Sequence, residues 1–507
     1  MKVINQHTKH SLLFRDLGID TNQEHVVFMP ASCHVCKSEG FQALTRLSIS
    51  LNRSTIVATL NIVSSDLLKE GEISLSKSAI QKLKVKDSDL LEVSHIEAFN
   101  SMKHVQKKLN GNSLNEREYD DIIRDIASQK YSNIFLSSFV AACSGENLNK
   151  EEIYFLTLAM MKAGNKLEWE NEIIADSECF GGLHGNRTSM IVVPIIASLG
   201  ITIPKISSIA ITSPAGLANT MQVLTNVNLS LAQMYKVVEK ENGCIVWGGA
   251  MKLCPADINI IKVKRALGID SEGLMIASVL AKKAAAGITH CVIDIPGINS
   301  AKAHTIYDAV SMMLRLKEVA NYLGLNVEGI CFNGVQPLGF GLGPSLEAAE
   351  VLSVLQNDTT ASKDLRKRAI SIATEIVRLS WNIEYLPAED LVIKKIDSGE
   401  AFSKLINICE AQGGFNEPKK AKYRKTILSP GTGIISEIDC QIMARIARLA
   451  GAPEEAEAGI DFGIRLRECI EKGQPLFTIH ANSPEQLNCA CEYYKQIGNK
   501  IIKLNYE

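Results

Sequence analysis

The stretch THCVIDI, residues 289–295, decides the architecture. It is a short apolar run, the pattern of a parallel strand covered on both faces. Beyond it, residues 302–323 read as a long helix that stops at Gly324, and residues 327–332 as the next strand. Strand, helix and strand at this spacing form a βαβ unit with a right-handed crossover. Ligands of such sheets bind beyond the carboxyl ends of the strands, which singles out the edge near Asp294 and Asn333.

Working outward, the α/β texture begins near residue 170. Before it, residues 115–130 carry Tyr119, Ile122, Ile123 and Ile126 at helical spacing. Residues 132–143 form a second predicted helix. Asn149 and Glu152 have capping-box spacing and start a third, which runs toward Gly164. Residues 1–100 differ: 26–29, 45–49, 54–63 and 90–93 are β-branched or alternating segments between polar turns. On the far side, 360–410 read as helical. Residues 411–425, with two glycines, a proline and four lysines, read as a linker. Residues 426–507 hold short strands at 434–438 and 475–479 around a helix at 440–449. The predicted class is α/β multidomain: an N-terminal β-rich domain, a small all-α lobe, a larger α/β lobe and a C-terminal α+β domain.

The bulk numbers exclude several function classes. A chain of 507 residues with 46% hydrophobic and 22% charged residues suits a globular protein of several domains. A net charge of −2 gives no basic face for phosphate neutralisation, so nucleic acid is not an expected partner. Only 6% of residues are aromatic, which also argues against a base-stacking strand binder. The apolar stretch 190–203 is too short to span a membrane and contains Pro194 and Gly200. The N-terminus lacks an apolar signal core, and the 13 cysteines form no framework, so a cytoplasmic chain with reduced thiols is expected. Cys33-His34-Val35-Cys36 lacks the second ligand pair that zinc needs nearby. No metal and no redox cofactor is expected.

Four motifs carry candidate chemistry. In Gly181-Gly182-Leu183-His184-Gly185-Asn186-Arg187-Thr188-Ser189, glycines would let backbone N–H groups approach an anion at a helix start, with Arg187, Thr188 and Ser189 as further donors. A plain connecting loop would have the same look. The hydroxyl cluster Ser207, Ser208, Thr212 and Ser213 before Gly216 could bind phosphate or sugar, or cap helices. Residues 265–283 place Ser278 and Lys282 one helical turn apart behind Asp270, which suits either a solvated helix or a donor edge for a heterocycle. The segment 339–344 resembles a dinucleotide loop only superficially, because the strand and acidic residue of that site are missing. Pro344 fits the first position of a helix instead.

Taken in order, GGLHGNRTS (181–189), IPKISSIAITSPAG (203–216), ENGCIVWGGA (241–250), PAD (255–257), IDSEG (269–273), ASVLAKK (277–283), THCVIDIP (289–296) and GLGPSLEA (341–348) resemble the thymidine phosphorylase and AMP phosphorylase family, type 2. SCHVCKSEGF (32–41) and GQPLFTIH (473–480) are similar to its flanking domains. The resemblance covers roughly residues 20–505. It implies domains at 1–100, 101–168 with 255–286, 169–254 with 287–410, a linker at 411–425, and 426–507, with the active site in a cleft between the α and α/β lobes. It implies a homodimer or larger homo-oligomer. It also implies the reaction: phosphate attacks C1′ of a nucleoside or nucleoside monophosphate and releases a free base and a pentose 1-phosphate.

Residue by residue, the resemblance implies phosphate contacts at Gly182, Ser189 and Ser207, to which the glycine loop and the hydroxyl cluster add Gly181, Ser208, Thr212 and Ser213 as phosphate-binding candidates. It implies base or nucleoside contacts at Arg265, Ser278, Lys282 and Lys302, and a leaving-base acid at Asp270. Phosphate is a co-substrate, and no cofactor is implied. The chain departs from the pattern on the phosphate side. The family's Asp-Lys-His-Ser is Asp176-Ser177-Glu178-Cys179 here. An arginine has become Ile209, a threonine Leu217 and an aspartate Asn219. Asp-Gly-Ser is Asn333-Gly334-Val335, and a basic position is Phe340. A unit charge pair at about 4 Å contributes roughly 4 kcal/mol at an effective dielectric near 20, so losing a cation and gaining Glu178 weakens phosphate binding. Three outcomes stay open: a phosphorylase of thymidine or AMP type, a hydrolase in which Glu178 activates water, and a nucleoside-binding protein without turnover.

Overall fold

A computed structural model describes residues 11–21, 24–96, 99–180, 185–210, 213–269, 271–297, 306–333, 336–498 and 501–505. They group into two compact units, Met1–Ala159 with Pro255–Ser271, and Met160–Cys254 with Glu272–Glu507.

The first unit begins with a closed six-stranded barrel. Its strands are β1 (Ser11–Phe14), β2 (Val26–Pro30), β3 (Arg46–Leu51), β4 (Ser54–Val63), β5 (Glu72–Leu75) and β6 (Leu90–His95), in the order β1-β5-β2-β4-β3-β6. Inward positions such as Leu12, Val27, Leu47, Leu60, Ile73 and Leu91 are fully buried, as strand alternation requires. Short helices α1 (His34–Glu39) and α2 (Lys77–Leu83) interrupt the strands.

A helical part follows: α3 (Ser101–Leu109), α4 (Glu116–Ala127), α5 (Asn133–Ala142), α6 (Lys150–Lys162) and, later in the chain, α10 (Pro255–Leu267). Asn115 and Glu118 form a reciprocal capping box at α4, and Tyr119, Ile122, Ile123 and Ile126 are its buried stripe. At α6, Asn149 and Glu152 exchange the expected cap bonds, 2.9 and 3.2 Å. Glu152 also accepts from Lys108 Nζ at 2.6 Å, Leu114 N–H at 3.0 Å and the Tyr119 hydroxyl at 3.0 Å. That carboxylate pins three segments together inside the apolar interior.

The second unit is built on a parallel sheet. β7 (Ala175–Cys179) pairs with β10 (His290–Gly297), which pairs with β11 (Asn326–Asn333). β8 (Ile203–Ser207) pairs with β9 (Gly243–Trp247), and a parallel bridge from Ile174 to Thr202 joins β7 to β8. The helices of this unit are α7 (Thr188–Ser198), α8 (Leu217–Leu224), α9 (Leu231–Glu241), α11 (Glu272–Ala285), α12 (Ile306–Tyr322), α13 (Pro344–Leu355), α14 (Lys363–Trp381), α15 (Tyr385–Asp397) and α16 (Glu400–Gln412). The βαβ unit read from THCVIDI is β10–α12–β11; residues 302–305 of the expected helix lie outside the described residues.

The same unit ends in an α+β part. Strands β12 (Gly341–Leu342), β15 (Gly459–Asp461), β17 (Pro475–Ala481) and β13 (Tyr423–Leu428) form one antiparallel sheet, and β16 (Cys469–Ile470), β14 (Gly433–Ile438) and β18 (Ile502–Asn505) another. Helices α17 (Cys440–Leu449) and α18 (Pro484–Ile497) cover them. Among the described residues no helix is long and apolar enough to cross a membrane.

Candidate functional site at the carboxyl edge of the parallel sheet

Strand alternation organises the site. Along β7, Asp176 and Glu178 share one face, and Ser177 and Cys179 the other. On the first face, Lys205 of β8 and Lys283 of α11 meet both carboxylates. Lys205 Nζ lies 3.1 Å from Asp176 Oδ1 and 3.3 Å from Glu178 Oε2. Lys283 Nζ lies 2.6 Å from Asp176 Oδ2 and also pairs with Glu178. Lys205 further donates to the Ser177 carbonyl. Asp176 and both lysines are buried, while the Glu178 side chain keeps 32% exposure.

Two ammoniums face two carboxylates, so the cluster carries no net charge. Burial by itself raises the Glu178 carboxyl, but Lys205 and Lys283 override it, with Lys282 adding to the field, and hold it well below the usual carboxylate range. Burial likewise disfavours the Lys283 ammonium. Asp176 and Glu178 more than offset that and hold it well above its ordinary value.

On the opposite face, Ser177 Oγ lies 3.2 Å from Ser189 Oγ in the first turn of α7. Cys179 is half-buried at the strand end and stands in register with Asp294. Asp294 pairs with Arg368 of α14, whose guanidinium lies over the Phe332 ring. Three residues that sequence reasoning did not single out, Lys205, Lys283 and Arg368, thus anchor this edge together with Asp294, which the strand reading had placed there. A lysine within an apolar strand, IPKIS, was the available signal, because a buried ammonium needs an anionic partner.

Ser207 ends β8 half-buried; its hydroxyl lies 3.4 Å from the Ser208 carbonyl. Ser208 is exposed, and Ile209 is 41% exposed where the resemblance expects an arginine. Ser213 is half-buried in the next loop, which is closed by Asn219: its amide oxygen accepts from Ala210 N–H at 2.6 Å and Gly216 N–H at 3.3 Å. The Asp-to-Asn departure therefore keeps an acceptor for the loop. Leu217 opens α8 and packs against the apolar core, a use no threonine hydroxyl would have.

Ser278 and Lys282 sit one turn apart on α11, both half-buried. The neighbouring Lys283 is the one that enters the ion cluster. Arg265 is exposed in the last turn of α10, in the first unit. Gly181, Gly182, Thr212, Asp270 and Lys302 lie outside the described residues.

The expectation that Arg187 offers an anion-binding donor is corrected. Its side chain is fully buried and donates to the carbonyls of Gly185 at 2.7 Å and Gly341 at 2.9 Å. It also pairs with Glu350 of α13. Glu350 in turn accepts from Phe340 N–H at 2.7 Å and Gly341 N–H at 3.2 Å. Arg187 therefore ties the 185–187 loop to the glycine-rich 339–343 loop. At Gly339, φ is +74° and an added Cβ would run into the Arg187 guanidinium. Pro344 does begin a helix, with Gly343 as its cap.

Residues 103–164 match the description "Glycosyl transferase family, helical bundle domain", and residues 434–498 match "Pyrimidine nucleoside phosphorylase C-terminal domain". A relative from Legionella pneumophila (strain Corby) is 45% identical over 99% of this chain and 97% of its own length. One from Hahella chejuensis is 41% identical over 98% and 99%. Both carry thymidine phosphorylase as a provisional name. Among solved structures, anthranilate phosphoribosyltransferase from Thermus thermophilus aligns over 61% of this chain and 99% of its own at 17% identity, TM-score 0.52. The Saccharomyces cerevisiae anthranilate phosphoribosyltransferase aligns at 14% identity over 63% and 99%, TM-score 0.50. These two likenesses concern the fold.

Proposed function

The chain belongs to the pyrimidine-nucleoside phosphorylase family of pentosyltransferases, and from that premise we propose that it cleaves the N-glycosidic bond of a pyrimidine nucleoside, thymidine first, with inorganic phosphate as the attacking group. The products are the free base and (deoxy)ribose 1-phosphate. The end-to-end identity with relatives bearing that name is the observation that carries this reading.

The transition state has oxocarbenium character, so the catalyst must position an anion beneath C1′ and stabilise the departing base. In this proposal Gly181, Gly182, Ser189, Ser207, Ser208, Thr212 and Ser213 supply the phosphate donors. Arg265, Ser278, Lys282 and Lys302 hold the nucleoside, and Asp270 protonates the leaving base. Phosphate is the co-substrate, and the reaction uses no cofactor. The reading extends to nucleoside salvage by a cytoplasmic homodimer.

One observation favours a second reading. Glu178 pairs with Lys205 and Lys283 across the strand from Ser177 and Ser189, so neither ammonium stands free for an incoming phosphate. A chain that keeps this pairing binds a nucleoside without phosphorolysis and serves as a binding or regulatory subunit. The same pairing speaks against Glu178 as a water-activating base, since a carboxylate stabilised in its charged form is a weak proton acceptor.

Isothermal titration with phosphate, thymidine and AMP, alongside a base-release assay, separates the readings. Phosphate-dependent release of thymine is the expected result. Thymidine binding with neither phosphate affinity nor turnover replaces the phosphorylase reading by the second one. Release of adenine from AMP moves the substrate to the nucleotide.

A further inference from the structure

The N-terminal barrel holds three sulfur atoms that glycosidic cleavage does not use. Met29 lies on β2 with its side chain fully buried. A turn follows, in which Cys33 N–H donates to the Pro30 carbonyl at 2.9 Å. Cys33 is the N-cap residue of α1, and Cys36 lies within that helix. Cys36 Sγ lies 3.4 Å from Met29 Sδ, and Cys33 Sγ lies 3.9 Å from it. The two cysteines are present as free thiols. Cys33 has no exposure, and Cys36 keeps 7%. Val27, Val35 and Phe41 belong to the apolar cluster that encloses them.

We infer that Met29, Cys33 and Cys36 form a binding site for one soft monovalent ion, Cu(I). With metal–thiolate bonds of about 2.3 Å, three sulfurs around a trigonal ion stand roughly 4 Å apart. The two separations from Met29 come close to that before any ion is bound. A donor set of two thiolates and a thioether is the soft combination that selects Cu(I). Zinc takes a tetrahedral set of four, and the one imidazole of the motif, His34, is exposed while both thiols are buried. Among the described residues no cluster of three or more His, Cys, Asp and Glu side chains offers a competing site. The apolar wall disfavours a doubly charged, strongly hydrated ion. Binding forms two Cu–thiolate bonds and one Cu–thioether bond, releases both thiol protons to solvent, and changes no oxidation state. The partial exposure of Cys36 marks the entry edge.

The test uses the full reduced chain under anaerobic conditions, titrated with Cu(I) against the chromophoric chelator bicinchoninate. Cys331, Cys469 and Cys489 are exposed thiols, so the decisive quantity is the difference between chains. The wild type is expected to hold one Cu(I) more than the C33S/C36S double variant, with a sulfur-only shell by X-ray absorption. Met29→Leu, a volume-conserving change that spares the fold, is expected to keep the ion with one sulfur fewer and weaker affinity. Circular dichroism melts check that each variant is folded. Equal uptake by the wild type and a folded C33S/C36S chain overturns the inference. So does an unchanged sulfur shell in Met29→Leu, preferential uptake of Zn(II), or a Cys33–Cys36 disulfide with no copper taken up.

Discussion

Two buried cationic centres in the second unit look alike in composition and differ in what they can release. Arg187 is wrapped by two carbonyls and by Glu350, a carboxylate that also holds two backbone N–H groups. The groups there fasten two loops to each other and to α13, and the guanidinium has no exposure. Lys205 and Lys283 are held on one side by buried Asp176 and on the other by Glu178, which keeps a third of its side chain exposed. Charge alone does not distinguish the two centres. The exposure and binding of the anion do: Glu178 keeps 32% of its side chain exposed and can exchange for a ligand anion, whereas Glu350 keeps 12% and is also held by two backbone N–H groups.

The largest expected effect breaks the enclosed centre. Arg187→Ala leaves Glu350 without its cation and opens a cavity between two loops. A loss of about 3–5 kcal/mol in urea unfolding is expected, enough to threaten folding of the second unit. A loss under about 1 kcal/mol would mean the guanidinium is not the tie described.

A smaller effect tests the same centre from the glycine side. Gly339→Ala places a Cβ against the guanidinium at a positive φ. A destabilisation of about 1–3 kcal/mol is expected in the same unfolding experiment. An Ala chain as stable as the wild type would show that this loop has room to relax.

The smallest stability effect, and the most informative for function, belongs to Glu178→Gln. Because the carboxylate is a third exposed, its pairing contributes no more than about 1 kcal/mol. Removing its charge leaves the cluster with a surplus cation, and phosphate affinity is expected to rise about tenfold or more by isothermal titration. Unchanged affinity would remove Glu178 as the competing anion. The pH dependence has a definite sign. The folded carboxyl is depressed, so its stabilisation is full above the unfolded value near 4.5 and is lost as pH falls below it. The Gln variant should show a flatter acid limb between about pH 4.5 and pH 2 in thermal melts.

Much of the frame was legible in the chain. The capping pair Asn149/Glu152, the buried stripe of α4 and the strands around THCVIDI follow from local spacing. The site was legible only in part. Lys282 stood out because it lies four residues from Ser278, yet its neighbour Lys283 is the one drawn into the ion cluster. Arg187 read as an anion donor because it sits in a glycine-rich loop, and its partner lies 163 residues away. Spacing along one element says which residues share a face, not what that face meets.

The sequence by itself determined the βαβ core, the helices at 116–127 and 150–162 with the start of the second, and that the phosphate side of a nucleoside phosphorylase pattern had lost a lysine and a histidine. Those properties rest on backbone geometry and side-chain type within a few residues. Only the tertiary structure decided that β1 closes on β5 and β6 into a barrel, that Arg187 belongs to the scaffold, and that Glu178 neutralises Lys205 and Lys283. Each of these depends on groups far apart in the chain meeting where water is excluded. There, a charge takes its meaning from the partner that packing sets beside it.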